Sequence, residues 1–150
     1  MQEKIILANI LDNSKSLAVV KLCRRLNINF KRIEQQDVNK SVASIINLKN
    51  KVFSEVLPQN DIKAPMFYVL PEIMIFSGLS DNELDEVLRE YKKDEIDPIP
   101  LKAVVTPYNM YWSLYTLVEE LKREKREIAG VWMVDTKNLK FYFDNLKKIK

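Results

Sequence analysis

Short apolar runs alternate along this chain with segments whose apolar residues recur at helical spacing. Residues 4–10 form a continuous apolar run of strand length, and residues 17–26 then present an apolar face at the period of a helix. The same succession recurs three more times, so the pattern predicts four strand–helix units. The predicted strands cover residues 4–10, 28–34, 72–77 and 100–106.

Residues that favour helix N-termini stand before each predicted helix. Ser80 and Glu83 have the spacing of a capping box, in which the hydroxyl accepts from a backbone N–H and the carboxylate reaches back to the cap. Asp37 is expected to cap a shorter helix that runs to about residue 48. In chain order, the candidate caps are Asp12-Asn13-Ser14, Asp37, Ser80 and Thr106-Pro107 or Asn109.

These units predict an α/β protein: a small three-layer sandwich with a mostly parallel four-stranded sheet, plus a C-terminal helix. Residues 28–34 alternate less cleanly than the other runs, which indicates an edge strand. We expect one α/β domain over residues 1–130, with an insertion at 49–70 that holds a short strand at 66–70. Residues 131–150 are expected to form an extension with an amphipathic basic helix. No tandem repeat is visible.

The composition limits the chemistry of the chain. Its 150 residues include no His and a single Cys, Cys23, so it offers neither an internal disulfide nor a His–Cys metal cluster. Acid–base catalysis near neutral pH lacks its usual side chain, which argues against an enzyme. We predict no catalytic residue, no metal and no cofactor.

Hydropathy and charge favour a cytoplasmic protein that does not contact a membrane. No run approaches the roughly 20 apolar residues that cross a bilayer, and residues 1–10 lack the layout of a signal peptide. The net charge of +3, from 24 basic and 21 acidic residues, is too balanced to favour nucleic acid.

Polar turns follow three of the predicted strands. In a parallel sheet they gather at one edge, where helix N-termini favour an anion such as phosphate or carboxylate. The alternative is that each residue only caps its own helix or turn. The three groups are Asn9 with Asp12-Asn13-Ser14, Ser77-Gly78 with Ser80-Asp81, and Thr106 with Asn109.

Three further residues at or near these turns have two interpretations each. Gly78 indicates a tight turn or a close backbone approach, but the further glycines of a dinucleotide-binding or phosphate-binding loop are missing. Trp112 either stacks a ring-bearing ligand or belongs to the core. Lys102, in a strand expected to be central, either reaches an anion or extends along the amino end of the strand toward solvent.

The predicted C-terminal helix offers a different kind of surface. Residues 137–150 carry five Lys against one Asp, with aromatic residues among them. Such a helix either docks on a protein or nucleic-acid partner or packs its apolar face on the domain with solvated lysines.

Two motifs resemble a known family. The third strand ends in FSGLSD, and the fourth strand and the residues after it read LKAVVTPYNMYW. They are similar to the SGFS-type turn and the LKAVLT-x-x-N-x-x-W run of a bacterial family of domains of unknown function (number 3783), with Leu79 where Phe is expected. The likeness extends loosely to the first strand and helix. The matching positions are Ser77, Gly78, Ser80, Leu101, Lys102, Ala103, Val104, Thr106, Asn109 and Trp112.

The resemblance implies a shared fold and a shared Lys–Thr–Asn–Trp surface, and it implies no activity. We therefore expect a non-enzymatic cytoplasmic domain that binds a small anionic ligand or a partner at the carboxyl edge of its sheet. An interaction module that uses the basic C-terminal helix is the alternative, and an enzyme of unknown class is the third. The expected site residues are Ser77, Gly78, Ser80, Lys102, Thr106, Asn109 and Trp112.

Overall fold

The computed structural model describes residues 3–46 and 63–131, with side chains up to residue 125. The predictions for most of the insertion and for the C-terminal helix lie outside the described residues. Within them the chain forms four strands and four α-helices, in the order β1 (Ile5–Asn9), α1 (Asn13–Arg25), β2 (Asn29–Arg32), α2 (Val42–Ile46), β3 (Ile73–Ser77), α3 (Asp81–Lys93), β4 (Leu101–Val104) and α4 (Leu114–Val131).

The strands form one mixed sheet in the order β2-β1-β3-β4. β1 is parallel to β2 and β3 is parallel to β4, but the central pair β1–β3 is antiparallel. The predicted α/β class and the edge position of β2 are confirmed. The mostly parallel sheet and the central position of the fourth strand were wrong, because β3 enters the sheet from the opposite end.

Apolar side chains fill both faces of the sheet, as alternation along a strand requires. One face packs against α2 and α4, with Leu7 and Ile75 among its buried residues. The other packs against α1 and α3, with Ile6 and Phe76 at its centre. Helices therefore cover the sheet on both faces, which places it in the middle of three layers.

Two helices begin later than the sequence predicted. Asp37 accepts hydrogen bonds from the Glu34 N–H and from Lys40, so it closes a short turn and does not cap α2. The cap of α2 is Ser41, whose hydroxyl accepts from the Ser44 N–H. Likewise α4 starts after Ser113 and not at Pro107 or Asn109, because residues 107–112 form turns.

The predicted strand at residues 66–70 is also absent from the described chain. Met66 and Phe67 occupy a turn that the Tyr68 N–H closes on the Pro65 carbonyl. Gln35 holds the following residues, since its amide donates to the Tyr68 carbonyl and accepts from the Leu70 N–H. A side chain thus replaces the neighbouring strand that these backbone groups would otherwise need.

The chain folds as two equivalent units, which we call the first unit (residues 4–46) and the second unit (residues 72–131). β3 and α3 have the lengths of β1 and α1 and begin 68 positions later. From the second strand of each unit onward the offset is 72, because the second unit holds four extra residues, 97–100. The sequence shows no tandem repeat, but the structure contains one.

The units face each other across an approximate two-fold axis. Leu7 lies opposite its equivalent Ile75 at the middle of the β1–β3 pair. Ser41 forms an antiparallel bridge with its equivalent Ser113. The backbone hydrogen bonds around that bridge are reciprocal: Val42 N–H to Trp112 C=O and Leu114 N–H to Lys40 C=O, both 2.9 Å, then Ala43 N–H to Met110 C=O and Tyr115 N–H to Val38 C=O.

The repeat yields a prediction about two residues that follow α1 and α3. Asn27 and Glu95 have φ of 59° and 57°, in the left-handed region. Glycine adopts this region without steric cost and Asn tolerates it better than Glu. Glu95→Gly should therefore raise the free energy of unfolding by up to about 1 kcal/mol, and Asn27→Gly should raise it less. Urea denaturation measures both, and a loss of stability in Glu95→Gly would contradict the expectation.

Candidate functional site

The mixed sheet separates residues that the sequence placed together. Asn9, at the carboxyl end of β1, lies opposite Ile73, and Ser77, at the carboxyl end of β3, lies opposite Ile5. The turn after β1, with Asp12, is therefore at the opposite edge of the sheet from the turns after β3 and β4. The predicted convergence of three polar turns was wrong, and only the last two share an edge.

Ser80 caps α3 as the sequence predicted. Its hydroxyl accepts from the Glu83 N–H at 3.1 Å, and its own N–H donates to the Glu83 carboxylate at 2.9 Å. Glu83 also pairs with Lys4. Lys4, followed by the Ser80 N–H, lowers the pKa of Glu83 to about 2. Ser80 is thus engaged in its own helix start.

Gly78 provides both the tight turn and the close approach expected of it. Its φ of 77° lies in the left-handed region, and a Cβ at this position would lie 2.2 Å from the Glu3 carbonyl oxygen. No side chain fits there without moving the chain that precedes β1. Gly78 therefore lets the second unit pack against the start of the first.

Thr106 and Asn109 close a turn on each other. The Thr106 hydroxyl accepts from the backbone N–H groups of Tyr108 and Asn109, both at 3.1 Å. The Asn109 side chain accepts from the Thr106 N–H at 2.9 Å and donates to the Val104 carbonyl at 3.1 Å. These side chains satisfy the backbone of their own turn, which is the capping alternative.

Ser77 and Trp112 do not meet in one pocket. Ser77 is buried, and its hydroxyl has no hydrogen-bond partner within the described residues. Trp112 is partly buried against the core on the α4 face and, with Asn109, lines a small cavity of about 40 Å³ beside Glu120 and Glu124. The two acidic side chains disfavour an anion in that cavity.

Lys102 lies away from the carboxyl edge, at the amino end of β4. It is 3% exposed and donates to the Ile99 carbonyl at 2.9 Å, with its ammonium 5.8 Å from the centre of the Tyr91 ring. Burial, followed by the charges of Lys125 and Lys15, lowers the pKa of Lys102 to about 8. It neither reaches solvent nor approaches the turns after β3 and β4.

The lysine belongs to a clamp around the four extra residues of the second unit. All four carbonyls of residues 97–100 accept a hydrogen bond from a side chain. The four donors belong to four different elements, α3, α1, β4 and α4. The Tyr91 hydroxyl bonds the Asp97 carbonyl, and the ammonium groups of Lys15, Lys102 and Lys125 bond those of Pro98, Ile99 and Pro100 at 2.7, 2.9 and 2.8 Å. The role of Lys102 here is structural.

A cleft opens between the turns after β3 and β4, on the α3 face. Its volume is about 170 Å³. Apart from Asp81 and Thr106, its walls are apolar, and no Lys or Arg is among its lining residues. It is lined by Phe76, Leu79, Asp81, Leu84, Val104, Val105, Thr106 and Pro107.

Among the predicted residues, only Thr106 lines this cleft. Leu79 and Pro107 were missed as lining residues, although the sequence marks both: each is an apolar residue in a turn directly after a strand. Asp81 stood in the predicted polar turn but was assigned no role of its own. Its carboxylate is the ionisable group of the cleft.

Other groups in the described part of the chain offer little chemistry. Cys23 is buried, and burial raises its pKa to about 11, which disfavours the reactive thiolate. No three His, Cys, Asp or Glu side chains of residues 3–46 and 63–125 are grouped to hold a metal ion. None of the described helices is long and apolar enough to cross a membrane.

Fold and cleft together define an α/β domain of two equivalent units, with a small cleft at the carboxyl edge of the second. The model of a family described as a domain of unknown function (DUF3783) matches residues 72–128. The resemblance seen in the sequence is thereby confirmed over the second unit. No curated protein and no solved structure matches the chain.

The Thr106–Asn109 turn can be tested by substitution. Asn109→Ala leaves the Thr106 N–H and the Val104 carbonyl without their partner, and a lost buried hydrogen bond costs about 1–3 kcal/mol. We expect a loss of that size in urea denaturation. Asn82→Ala, on the exposed side of α3, serves as the control and should change stability by less than about 0.5 kcal/mol. Equal effects of the two would contradict a structural role for Asn109.

Lys102 predicts a pH dependence. Its pKa is about 8 in the folded chain and 10.5 in the unfolded chain. Below pH 8 the lysine is charged in both states, so the whole cost of burying the charge lowers the free energy of unfolding. Between pH 8 and 10.5 the folded state loses this proton before the unfolded state does, so stability rises with pH. Lys102→Met removes this contribution. Its stability relative to the parent chain should fall by about 3 kcal/mol across that window, and a constant difference would refute the assignment.

Proposed function

We propose that this chain is a binding domain and that its ligand occupies the cleft at the carboxyl edge of β3 and β4. The observation that carries the proposal is the cleft itself: mostly apolar side chains and one exposed carboxylate, Asp81, between two turns that follow parallel strands. Small-molecule sites combine an apolar lining with few polar groups in this way. Parallel strands commonly place such sites at their carboxyl ends.

The size of the cleft limits the ligand. An apolar cavity of about 150 Å³ holds benzene, so a cleft of about 170 Å³ fits a molecule with one ring or a short branched chain. Drug-sized ligands need roughly 300 Å³ or more. The proposed ligand is therefore a compact apolar molecule or the tip of a larger one.

The charge of the cleft favours an amine over an anion. Asp81 attracts a cation or a hydrogen-bond donor, and no basic side chain lines the cleft to attract a phosphate or carboxylate. The polar groups expected to hold an anion are engaged, since Ser80 caps α3 and Thr106 closes its turn. Binding of a small anion thus remains a prediction with less support than binding of an apolar amine.

A titration followed by backbone amide NMR tests the proposal, with benzylamine, inorganic phosphate and acetate as probes. We expect benzylamine to shift the amides of Leu79, Asp81 and Val105. Asp81→Asn should weaken its binding by up to roughly fivefold, the effect of one exposed charge pair. Glu86→Gln, on the exposed side of α3, removes the same charge outside the cleft and should leave binding unchanged.

A second variant separates the cleft from the nature of its ligand. Leu79→Trp places a large side chain in the cleft and should abolish the shifts caused by any probe. If phosphate or acetate binds instead, and binds more tightly to Asp81→Asn, the anionic ligand is supported and the amine is excluded. If no probe shifts these amides in a way that Leu79→Trp removes, the proposed binding function is wrong.

A further inference from the structure

Two ion pairs occupy equivalent positions in the two units, but with their charges exchanged. Lys15, in the first turn of α1, pairs with Glu72 just before β3 at 2.8 Å. Glu83, in the first turn of α3, pairs with Lys4 just before β1. Glu83 lies 68 positions after Lys15, and Glu72 lies 68 positions after Lys4. The two-fold axis therefore relates the pairs to each other with reversed sign.

The Lys15–Glu72 pair is the more protected of the two. Its side chains are 9% and 15% exposed, against 49% and 32% for Lys4 and Glu83. Burial raises the pKa of Glu72, but the hydrogen bonds from Lys15 and from the Leu11 N–H outweigh this, so its pKa is lowered overall. Charges at these positions thus interact electrostatically across the interface between the units.

This arrangement has a consequence for which units pair. If two copies of the second unit met about the same axis, Glu72 of one copy would face Glu83 of the other, twice. Two copies of the first unit would bring Lys15 against Lys4, also twice. Like charges in such positions cost stability and select against the wrong partner. Only a first unit with a second unit gives two attractive pairs.

Part of the remaining interface does not distinguish between the units. The exceptions are two buried pairs of unequal size, Ile6 opposite Phe76 and Ala8 opposite Met74. At the axis, Leu7 meets Ile75 and Ser41 meets Ser113, so each meets a side chain of similar size and polarity. The bonds between β1 and β3 and around that bridge join backbone atoms, which are the same in both units. An isologous contact of this kind is self-complementary by construction.

We propose that the backbone of the second unit is complementary to the second unit of another copy of this chain, and that the two charge-exchanged ion pairs direct it to the first unit instead. The complementary surface consists of β3 and the residues around Ser113. This inference is independent of the cleft and its ligand. It assigns the ion pairs a role in partner choice beyond their contribution to stability.

The test exchanges charges in the full chain in two ways. Lys4→Glu with Glu72→Lys makes both internal pairs repulsive and makes both pairings of like units attractive. Lys15→Glu with Glu72→Lys is the control matched in net charge and number of substitutions. Its internal pairs remain attractive, and it loses the bond from Lys15 to the Pro98 carbonyl. Both variants retain Ser80 and Glu83, so the capping box of α3 is kept.

Analytical ultracentrifugation and a cysteine crosslink give the result. We expect the first variant to sediment as a dimer at tens of micromolar and the control to remain a monomer. With Ser113→Cys added, mild oxidation should link the dimer through Cys at position 113 of both chains. Ser41→Cys with Ser113→Cys in the parent chain is the positive control, because it should crosslink within one chain.

Three outcomes would overturn the proposal. The first is a Lys4→Glu/Glu72→Lys variant that stays monomeric or unfolds without the crosslink at position 113. The second is a dimer of this variant, now carrying both Ser41→Cys and Ser113→Cys, that crosslinks only between positions 41 and 113, which is an exchange of unlike units. The third is a control that dimerises equally, because the ion pairs would then not decide the partner.

Discussion

The antiparallel contact between β1 and β3, centred on Leu7 and Ile75, determines most of what is particular to this fold. β2 is parallel to β1 and β4 is parallel to β3, so the sheet consists of two parallel pairs joined by the antiparallel contact between β1 and β3. Because the central strands run in opposite directions, their carboxyl ends lie at opposite edges. The same contact creates the two-fold relation between the units and the reciprocal hydrogen bonds near Ser41 and Ser113.

The two units share their backbone arrangement, but the side chains around the cleft differ from their equivalents in the first unit. Phe76 and Leu79 of the cleft correspond to Ala8 and Leu11 in the first unit, and Leu11 is 71% exposed. The Thr106 turn corresponds to Glu34, which begins a short helical turn. A cleft with the walls of the second unit therefore has no counterpart of the same composition in the first. The cleft that is proposed to bind a ligand is formed by residues of the second unit.

Many of the polar side chains singled out by the sequence satisfy backbone groups. Ser80, Thr106 and Asn109 complete turns. Gln35, which the sequence did not mark, likewise supports a segment that has no neighbouring strand. Lys102 is a further case, because its buried ammonium donates to the Ile99 carbonyl, one of the carbonyls of the extra residues 97–100. Burying that charge opposes folding, and the loop that it secures has no counterpart in the first unit.

The sequence by itself determined the local elements. The four strands, the caps at Asp12 and Ser80 and the turn at Gly78 follow from side chains a few residues apart, whose effects on the backbone are local. It also contained the two motifs that resemble the family whose model matches residues 72–128. The start of α2 at Ser41 and of α4 at Ser113 was not predictable in this way, because each depends on a partner about 70 residues distant.

Only the tertiary structure decided the direction of β3, the repeat and the cleft. An apolar run has the same alternation read in either direction, so hydrophobic pattern cannot tell a parallel from an antiparallel neighbour. The repeat is not visible in the sequence because equivalent positions share backbone conformation while their side chains differ, as Lys15 and Glu83 do. The cleft joins Leu79 to Pro107 across two turns, and such proximity exists only after the strands have paired.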